Sequence, residues 1–211
     1  MNIAFYVSGS GTRLKNIIKE ENIEVNRAIK LIVNDEENVS LENMAEERGI
    51  SYRCFLKKIE SMGKSGFSDK LLREMSLHNI DYLFVFGKQL LRGEILFKYK
   101  NRMINFHPSI LPMFSGFNAI DRAIEANMTI LGNTAHFIDE SIDGGPIILQ
   151  SVIPSYVFYQ ESYEGVLKYQ EKMFFLLFKL FKNNSISVNE KNQVKIRDEN
   201  YEGELLIPCV K

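Results

Sequence analysis

Two short segments of this 211-residue chain hold an amide, an imidazole and a carboxylate between prolines and glycines. The first reads Asn105-Phe106-His107-Pro108, and the second reads Asp143-Gly144-Gly145-Pro146. An amide N–H can stabilise an oxyanion, an imidazole can move protons, and a carboxylate can orient and charge the imidazole. If the fold brings these three groups together, they suit acyl transfer.

Asn105 and His107 are two residues apart, so their side chains lie on the same side of an extended strand. We expect them at the C-terminal end of a strand, where open parallel sheets bind their ligands. The chain has only two other histidines. His78 is expected at a helix end on the surface, and His136 is expected in a strand, either packed or supporting a residue of the site.

A glycine-rich turn, Ser8-Gly9-Ser10-Gly11-Thr12-Arg13, follows the first apolar run. Backbone N–H groups in such a turn, at the N-terminus of a helix, can bind an anion. Thr12 would add a hydroxyl and Arg13 a guanidinium. The turn is neither a Walker A motif nor a complete GxGxxG, so a plain strand-to-helix turn is the alternative.

The acidic segment from Asp139 to Asp143 also has two interpretations. Acidic loops are usually solvated, and an Asp before two glycines suits an Asx turn. Asp143 becomes a catalytic candidate only if the fold returns it to His107.

Strands and helices alternate through the first half of the chain. Apolar runs predict strands at 3–7, 28–33, 51–55 and 82–86, and helical periodicity predicts helices at 12–20, 40–49 and 68–77. Ser40 and Ser68 are the expected N-caps of the last two helices, and 57–66 is an expected loop. This order predicts an α/β fold that is doubly wound and Rossmann-like, with a mostly parallel sheet flanked by helices.

The pattern changes after Pro112. A helix is expected over 118–126, strands over 132–138 and 147–153, and a long helix over 163–181. The long helix is rich in phenylalanine, which predicts a core position or, alternatively, a partner surface. Residues 185–197 predict a β-hairpin. Without a repeat or linker, residues 1–211 are expected to form a single domain.

Composition argues against several classes of protein. The net charge of −1, from 26 basic and 27 acidic side chains, argues against a nucleic-acid partner. Cys54 and Cys209 have no metal-ligand spacing and are expected to be reduced thiols. No stretch approaches the roughly 18 apolar residues of a membrane span, and the N-terminus does not suit a signal peptide. We therefore expect a cytoplasmic protein without a membrane partner.

Three motifs together resemble those of the folate-dependent formyltransferases, most of all the branch that formylates phosphoribosylglycinamide. They are Ser8-Gly9-Ser10-Gly11-Thr12, the segment from Ile104 to Pro112, and the segment from Gly144 to Gln150. The resemblance covers nearly the whole chain and implies the formyltransferase fold. It further implies a half that binds the substrate phosphate, residues 1–100, and a catalytic and folate-binding half, residues 101–211.

The resemblance also implies a reaction. The formyl group of 10-formyltetrahydrofolate would pass, without a metal, to the primary amine of 5-phosphoribosylglycinamide in de novo purine biosynthesis. Asn105 and His107, charged through its pairing with Asp143, would stabilise the oxyanion, while a relayed proton makes N10 a leaving amine. The carboxylate of Asp143 is expected to raise the pKa of His107.

Site residues follow from the same resemblance. Asn105, His107 and Asp143 would be the catalytic trio. The residues that would bind the phosphorylated amine are Gly11, Thr12, Arg13, Pro108, Lys168 and Glu171. Those that would contact the folate are Lys64, Lys88, Gln89, Leu90, Leu91, Asn105, Asp139, Glu140, Ser141, Ile142 and Asp143.

Several positions depart from the family pattern. Arg13 stands where Asn is usual, Lys168 where Gln is common, and Lys64 where Arg is common. A formyltransferase for a nucleotide-linked amino sugar therefore stays an alternative. A catalytically silent folate- or nucleotide-binding module is the alternative from another class, but it would be expected to have a broken trio. The expected partner is a small molecule, and the expected state is a monomer or a homodimer.

Overall fold

The structure, a computed structural model, describes residues 1–56 and 66–197. Lys64, Cys209 and nearly all of the loop expected at 57–66 lie outside the described residues. The chain divides into two compact units. The first unit contains Met1–Asn105 and Phe137–Ser141, and the second contains Phe106–His136 and the described residues from Ile142 onward. The organisation as one domain stays a prediction.

The first half of the chain alternates strands and helices. Its elements are β1 (Ile3–Val7), α1 (Thr12–Lys19), α2 (Ile23–Ala28), β2 (Ile29–Asn34), α3 (Val39–Glu46), β3 (Ser51–Cys54), α4 (Gly66–Leu77), β4 (Tyr82–Phe86), α5 (Glu94–Lys98) and β5 (Met103–His107). The second half contains α6 (Ala119–Glu125), β6 (Ile130–Phe137), β7 (Ile147–Pro154), α7 (Tyr156–Lys182), β8 (Ile186–Val188) and β9 (Val194–Ile196).

Seven strands form one sheet in the order β3-β2-β1-β4-β5-β6-β7, and β8 pairs with β9. The pairs β1–β2, β1–β4, β2–β3 and β4–β5 are all parallel. Every residue of β1 is buried, as expected for a strand whose sheet is covered on both faces. The chain first builds outwards from β1 to β3 and then returns to place β4 on the other side of β1. The predicted doubly wound, mostly parallel fold is confirmed.

Two predicted helix starts in this half were wrong. Asn38, not Ser40, is the N-cap of α3, because its side-chain oxygen accepts a hydrogen bond from the Leu41 N–H at 3.0 Å. Ser68 lies inside α4, where its buried hydroxyl accepts a hydrogen bond from the Arg92 N–H at 2.9 Å. The short helix α2 was not predicted.

In the second unit, β6 and β7 are antiparallel, and β8 and β9 form the predicted hairpin. Ser162 interrupts α7 with φ 55° and ψ −149°, so the continuous part begins at the predicted residue 163. The phenylalanine-rich face of this part is buried, which confirms the predicted core position. Its buried residues include Val166, Gln170, Met173, Phe174, Leu177, Phe178 and Phe181.

Within residues 1–56 and 66–197, no helix combines the length and apolar character needed to cross a membrane.

The corrected N-cap gives a stability prediction. Asn38→Ala removes the α3 cap and a second hydrogen bond, from the Asn38 amide to the Gly9 carbonyl at 2.9 Å. We expect it to lower the free energy of unfolding by about 1–2 kcal/mol in urea denaturation. Ser40→Ala, the matched control, should stay within about 0.5 kcal/mol of the wild type. An equal loss in both variants would contradict the assignment of Asn38 as the cap.

Candidate functional site

His107 ends β5, and the segment after it is held tightly within the second unit. The Ser109 N–H donates to the His107 carbonyl at 2.9 Å, which turns the chain out of the strand. The Thr134 hydroxyl donates to the Ser109 carbonyl at 2.7 Å and accepts from the Leu111 N–H at 3.0 Å. The Gln150 amide donates to the Leu111 carbonyl at 2.9 Å. These bonds fix the backbone beside the His107 ring, which is only 6% exposed.

The fold returns Asp143 to His107, as the catalytic interpretation of the acidic segment requires. The Asp143 Oδ2 atom lies 3.2 Å from Nδ1 of His107 and accepts a hydrogen bond from the Gly116 N–H at 2.8 Å. The other carboxylate oxygen, Oδ1, lies 3.6 Å from Nε2 of His136. Asp143 itself has φ 52°, in the left-handed region that Asp tolerates better than most residues. One half-buried carboxylate therefore contacts two imidazoles and a backbone N–H.

These contacts keep Asp143 ionised. Burial alone would raise the pKa of its carboxyl, but the hydrogen bonds from His136 and Gly116 and the charges of the two imidazoles outweigh burial. The net effect is a pKa below the ordinary value. An acceptor with a full negative charge thus faces His107 at neutral pH.

The charge of Asp143 favours the imidazolium of His107, as predicted, but the prediction that this pairing leaves the ring charged was wrong. Burial disfavours the imidazolium and is the largest effect, so the pKa lies below its ordinary value. The Phe114 carbonyl and the Asp143 carboxylate both act in the opposite direction without compensating for burial. In this structure the ring of His107 is therefore mostly neutral at pH 7.

Both ring nitrogens of His107 face oxygen atoms that can only accept. Nδ1 faces Asp143, and Nε2 lies 2.9 Å from the Phe114 carbonyl. A neutral imidazole carries one N–H, and the charged carboxylate favours placing it on Nδ1. Nε2 then lacks a proton, and a proton gained there would complete the hydrogen bond to Phe114. Both nitrogens of a protonated ring would therefore have an acceptor.

His136 is packed, as one of its two sequence interpretations stated, and it also supports Asp143. Its side chain is buried, and opposite it the β6–β7 register shifts, with Ile148 as an extra residue in β7. Such bulges redirect side chains and are frequent near functional sites. Two backbone groups of this site, the Phe114 carbonyl and the Gly116 N–H, were not predicted. Residue type does not show which backbone groups form a site, and only the glycine at position 116 gave a signal in the sequence.

The third histidine is not a free surface side chain. His78 is half-buried after α4, with Nε2 2.8 Å from the Ser51 hydroxyl and Nδ1 2.9 Å from the Glu74 carbonyl. It fastens the end of α4 to the start of β3.

The glycine-rich turn belongs to the first unit and is held by two side chains, one at the end of β2 and one shortly after it. The amides of Asn34 and Asn38 both donate to the Gly9 carbonyl, at 3.1 and 2.9 Å. Gly9 and Gly11 have φ 66° and 61°, a region that favours glycine. Gly11 is the N-cap of α1 without a side-chain cap, so the turn presents backbone N–H groups at a helix start. That geometry suits an anion.

Arg13, the departure in this turn, lies on an aromatic ring. Its guanidinium carbon is 4.6 Å from the centroid of the Phe86 ring, and its Nη2 donates to the Phe86 carbonyl at 3.5 Å. Phe86 is the last residue of β4. The guanidinium therefore has a packed position at the carboxyl end of β4 rather than an extended one in solvent.

The segment Lys88–Leu91 follows β4, and two of its N–H groups are used inside the first unit. The Lys88 N–H donates to the Ser8 hydroxyl at 2.8 Å, and the Gln89 N–H donates to the Tyr6 hydroxyl at 2.9 Å. Leu90 is exposed, and Leu91 is buried. The backbone of this segment is thus fixed before any ligand binds.

The other residues predicted to contact a ligand differ in their exposure and hydrogen bonding. Asp139 accepts from the N–H and hydroxyl of Ser141, an Asx turn in the first unit, and Glu140 is exposed. In the second unit, Ile142 is exposed and Pro108 is half-buried.

On α7 the substrate candidates lie beside a buried polar anchor. Lys168 pairs with Glu161, and Glu171 is half-buried. Between them in sequence, the fully buried Gln170 donates from its amide to Asn133 Oδ1 at 2.8 Å. The Asn133 amide in turn donates to the Val166 carbonyl at 2.9 Å. This anchor fixes the rotation of the helix and therefore the direction in which Glu171 leaves it.

The part of the chain that the structure describes contains no group of three or more His, Cys, Asp or Glu side chains suited to a metal ion.

The chain is similar to known proteins in both sequence and structure. The family model described as "Formyl transferase" matches residues 1–172. A phosphoribosylglycinamide formyltransferase from Bacillus subtilis is 33% identical over 154 residues, which cover 71% of this chain and 77% of that protein. A glycinamide ribonucleotide transformylase 1 from Symbiobacterium toebii has a TM-score of 0.83 at 26% identity, covering 94% of both chains.

A second similar structure extends the comparison of folds alone. A formyltetrahydrofolate deformylase from Pseudomonas syringae has a TM-score of 0.79 at 20% identity, covering 93% of this chain and 66% of that one.

The protonation state of His107 can be tested by titration. In the wild type, the His107 ring should titrate below about pH 6.5, because burial outweighs the charge of Asp143. Asp143→Asn removes the negative charge that favours the imidazolium, so the pKa of His107 should fall further. Histidine ring signals in NMR spectra recorded against pH measure both values. A higher pKa in the variant would contradict the pairing.

Proposed function

This chain belongs to the formyl transferase family, and we propose that it transfers the formyl group of 10-formyltetrahydrofolate to the primary amine of 5-phosphoribosylglycinamide, a step of purine biosynthesis. The observation that carries the proposal is the contact between the ionised Asp143 and the buried His107. It joins the Asn-x-His segment to the Asp-Gly-Gly-Pro segment, the two motifs on which the family resemblance depends. The similarity to named phosphoribosylglycinamide formyltransferases supports this acceptor over a nucleotide-linked amino sugar or a silent binding module.

The reaction needs one bond to form, one to break and one proton to move. The amine nitrogen bonds to the formyl carbon, and the formyl oxygen becomes an oxyanion in a tetrahedral intermediate. In our proposal the Asn105 amide donates to that oxygen. The C–N10 bond then breaks, and tetrahydrofolate leaves as N10 gains the proton that the attacking amine has lost.

His107 is suited to move this proton. In our proposal the neutral ring accepts this proton at Nε2 when the attacking amine takes the place of the Phe114 carbonyl beside that atom, and Asp143 stabilises the imidazolium that forms. The imidazolium then adds its own charge to the stabilisation of the oxyanion. Return of the proton, through a water molecule, to N10 restores the neutral ring.

The binding roles are assigned as follows. The turn Gly11–Arg13 holds the phosphate of the amine substrate at the start of α1, and Glu171 contacts its ribose, with Pro108 and Lys168 nearby. The folate contacts Lys88–Leu91, Asp139–Asp143 and Asn105, and Lys64 is a further candidate. Arg13 packs on the Phe86 ring. Its guanidinium would hold the phosphate either from this packed position or after moving off the ring. Small-molecule partners, a monomer or homodimer and the absence of a metal stay predictions.

Three substitutions test the catalytic assignment. Asn105→Ala, His107→Ala and Asp143→Asn should each lower kcat by about 10²–10³, since each removes a group that acts mainly in the transition state. Formation of tetrahydrofolate, followed by absorbance with phosphoribosylglycinamide as acceptor, measures the rate. His78→Ala, the matched control, contacts Ser51 and Glu74 instead and should keep near-native kcat. Near-native transfer by all three trio variants would overturn the assignment.

A further inference from the structure

Asp35 is a buried acid that the proposed reaction does not use. It follows β2 directly, is 1% exposed, and its N–H donates to the Val7 carbonyl at 3.4 Å. One carboxylate oxygen, Oδ2, accepts from both the Tyr6 and the Ser8 hydroxyls, each at 2.8 Å. Within residues 1–56 and 66–197, the other oxygen, Oδ1, has no hydrogen-bond partner although it is buried. Burying a carboxyl oxygen without a hydrogen bond lowers the stability of the fold, so some other gain should offset this cost.

Two hydrogen-bond relays run from this carboxylate to the loop after β4. The Gln89 N–H donates to the Tyr6 hydroxyl, which donates to Asp35. The Lys88 N–H donates to the Ser8 hydroxyl, which also donates to Asp35. Each hydroxyl has a single hydrogen, which it donates to Asp35, and its oxygen accepts from the loop. In such a chain each hydrogen bond polarises the next.

The Tyr6 ring is itself fixed against the same loop. A Cβ atom placed on Gly87 would lie 2.2 Å from the Tyr6 ring, so the ring packs directly on the glycine that precedes Lys88. On another side the Tyr6 and Phe67 rings are 4.8 Å apart. Burial raises the pKa of Tyr6, which keeps its hydroxyl protonated and able to donate. The tyrosine therefore holds Gln89 through both packing and hydrogen bonding.

The linked residues come from the carboxyl ends of three adjacent strands of the first unit. Ser8 follows β1, Asp35 follows β2, and Lys88 and Gln89 follow β4. The sheet order places β1 between β2 and β4. The strand order thus reverses beside β1, and at such a switch point the loops at the carboxyl ends diverge and leave a crevice that binds ligands. Asp35 ties together the loops that form the two sides of that crevice.

We propose that Asp35 is a positioning residue that, through Tyr6 and Ser8, holds the Lys88–Gln89 backbone in the shape that binds the formyl donor. This inference rests on the proposed function for the identity of that ligand. Asp35 touches neither substrate in this account. It keeps the N–H groups of Lys88 and Gln89 bonded to Ser8 and Tyr6. The opposite side of the segment is then presented to the pterin.

The test removes one hydroxyl at a time and leaves the carboxylate in place. Tyr6→Phe and Ser8→Ala should speed amide hydrogen exchange at Gln89 and Lys88, respectively. Each should raise the KM for 10-formyltetrahydrofolate about five- to tenfold, the effect of one lost hydrogen bond. In both variants kcat should stay within about twofold of the wild type, because the loop binds the donor and takes no part in the chemical step. Asp35→Asn keeps the shape of the side chain and should raise both the exchange and the KM. In the double variant with Ser8→Ala, the rise in KM should be smaller than the product of the two single rises, since both substitutions break the same relay.

Tyr99→Phe and Ser76→Ala are the matched controls. Tyr99 and Ser76 form a second tyrosine–serine hydroxyl pair in the same unit, and Tyr99 packs in the same hydrophobic cluster as Tyr6. These variants should change neither the exchange at Lys88 and Gln89 nor the KM for the donor. An equal rise in KM for controls and test variants would show a general loss of structure and overturn the inference.

The outcomes separate this inference from the proposed function. Faster exchange without a change in KM, in an active enzyme, would reduce Asp35 to a structural role and overturn the inference alone. Unchanged exchange in Tyr6→Phe and Ser8→Ala would contradict the relays themselves. A wild-type protein that transfers no formyl group would overturn the proposed function and the donor role with it, whereas the exchange data would still report on the relays.

Discussion

The carboxylate of Asp143 lies between two imidazoles, and the chemistry open to the second unit depends on this contact. A buried carboxylate stays ionised only when its neighbours compensate for lost water, and here His107, His136 and the Gly116 N–H do so. Without Asp143, the Phe114 carbonyl would favour the N–H of a neutral His107 ring on Nε2. The charge of Asp143 favours Nδ1 instead and supports a second proton on the ring. The extra β7 residue opposite His136 and the bonded segment after β5 keep the partners in place.

A second buried acid organises the first unit in a different way. Asp35 accepts hydrogen bonds from two hydroxyls, and those hydroxyls accept from the backbone of the loop after β4. Asn34 and Asn38 hold the glycine-rich turn through the Gly9 carbonyl. Polar side chains at the end of β2 and just after it therefore determine the shape of the loops at the ends of β1 and β4. The apolar strands supply stability, and these few polar groups supply the loop geometry.

The sequence predicts most of the fold, because apolar runs and glycine turns are local signals. Strand and helix positions differ from the structure by a few residues, and the burial of the α7 face followed from its periodicity. The N-caps were wrong at Ser40 and Ser68 because Asn38 competes successfully for one helix start and because Ser68 is drawn into a tertiary bond with Arg92. The sequence also indicated the candidates Asn105, His107 and Asp143. It did not reveal the neutral state of His107, since burial depends on everything packed around the ring, nor the relays to Asp35, which join residues up to 83 positions apart.

The destination of the formyl group distinguishes transfer from hydrolysis, and the distinction matters because a formyltetrahydrofolate deformylase has the same fold. The measurement uses 10-formyltetrahydrofolate labelled with ¹³C in the formyl group, mixed with phosphoribosylglycinamide and followed by NMR. The proposed function predicts that the label appears as a formamide on the phosphorylated amine, with one tetrahydrofolate released for each formamide. Recovery of the label as formate, or on an amino sugar offered in competition, would contradict it.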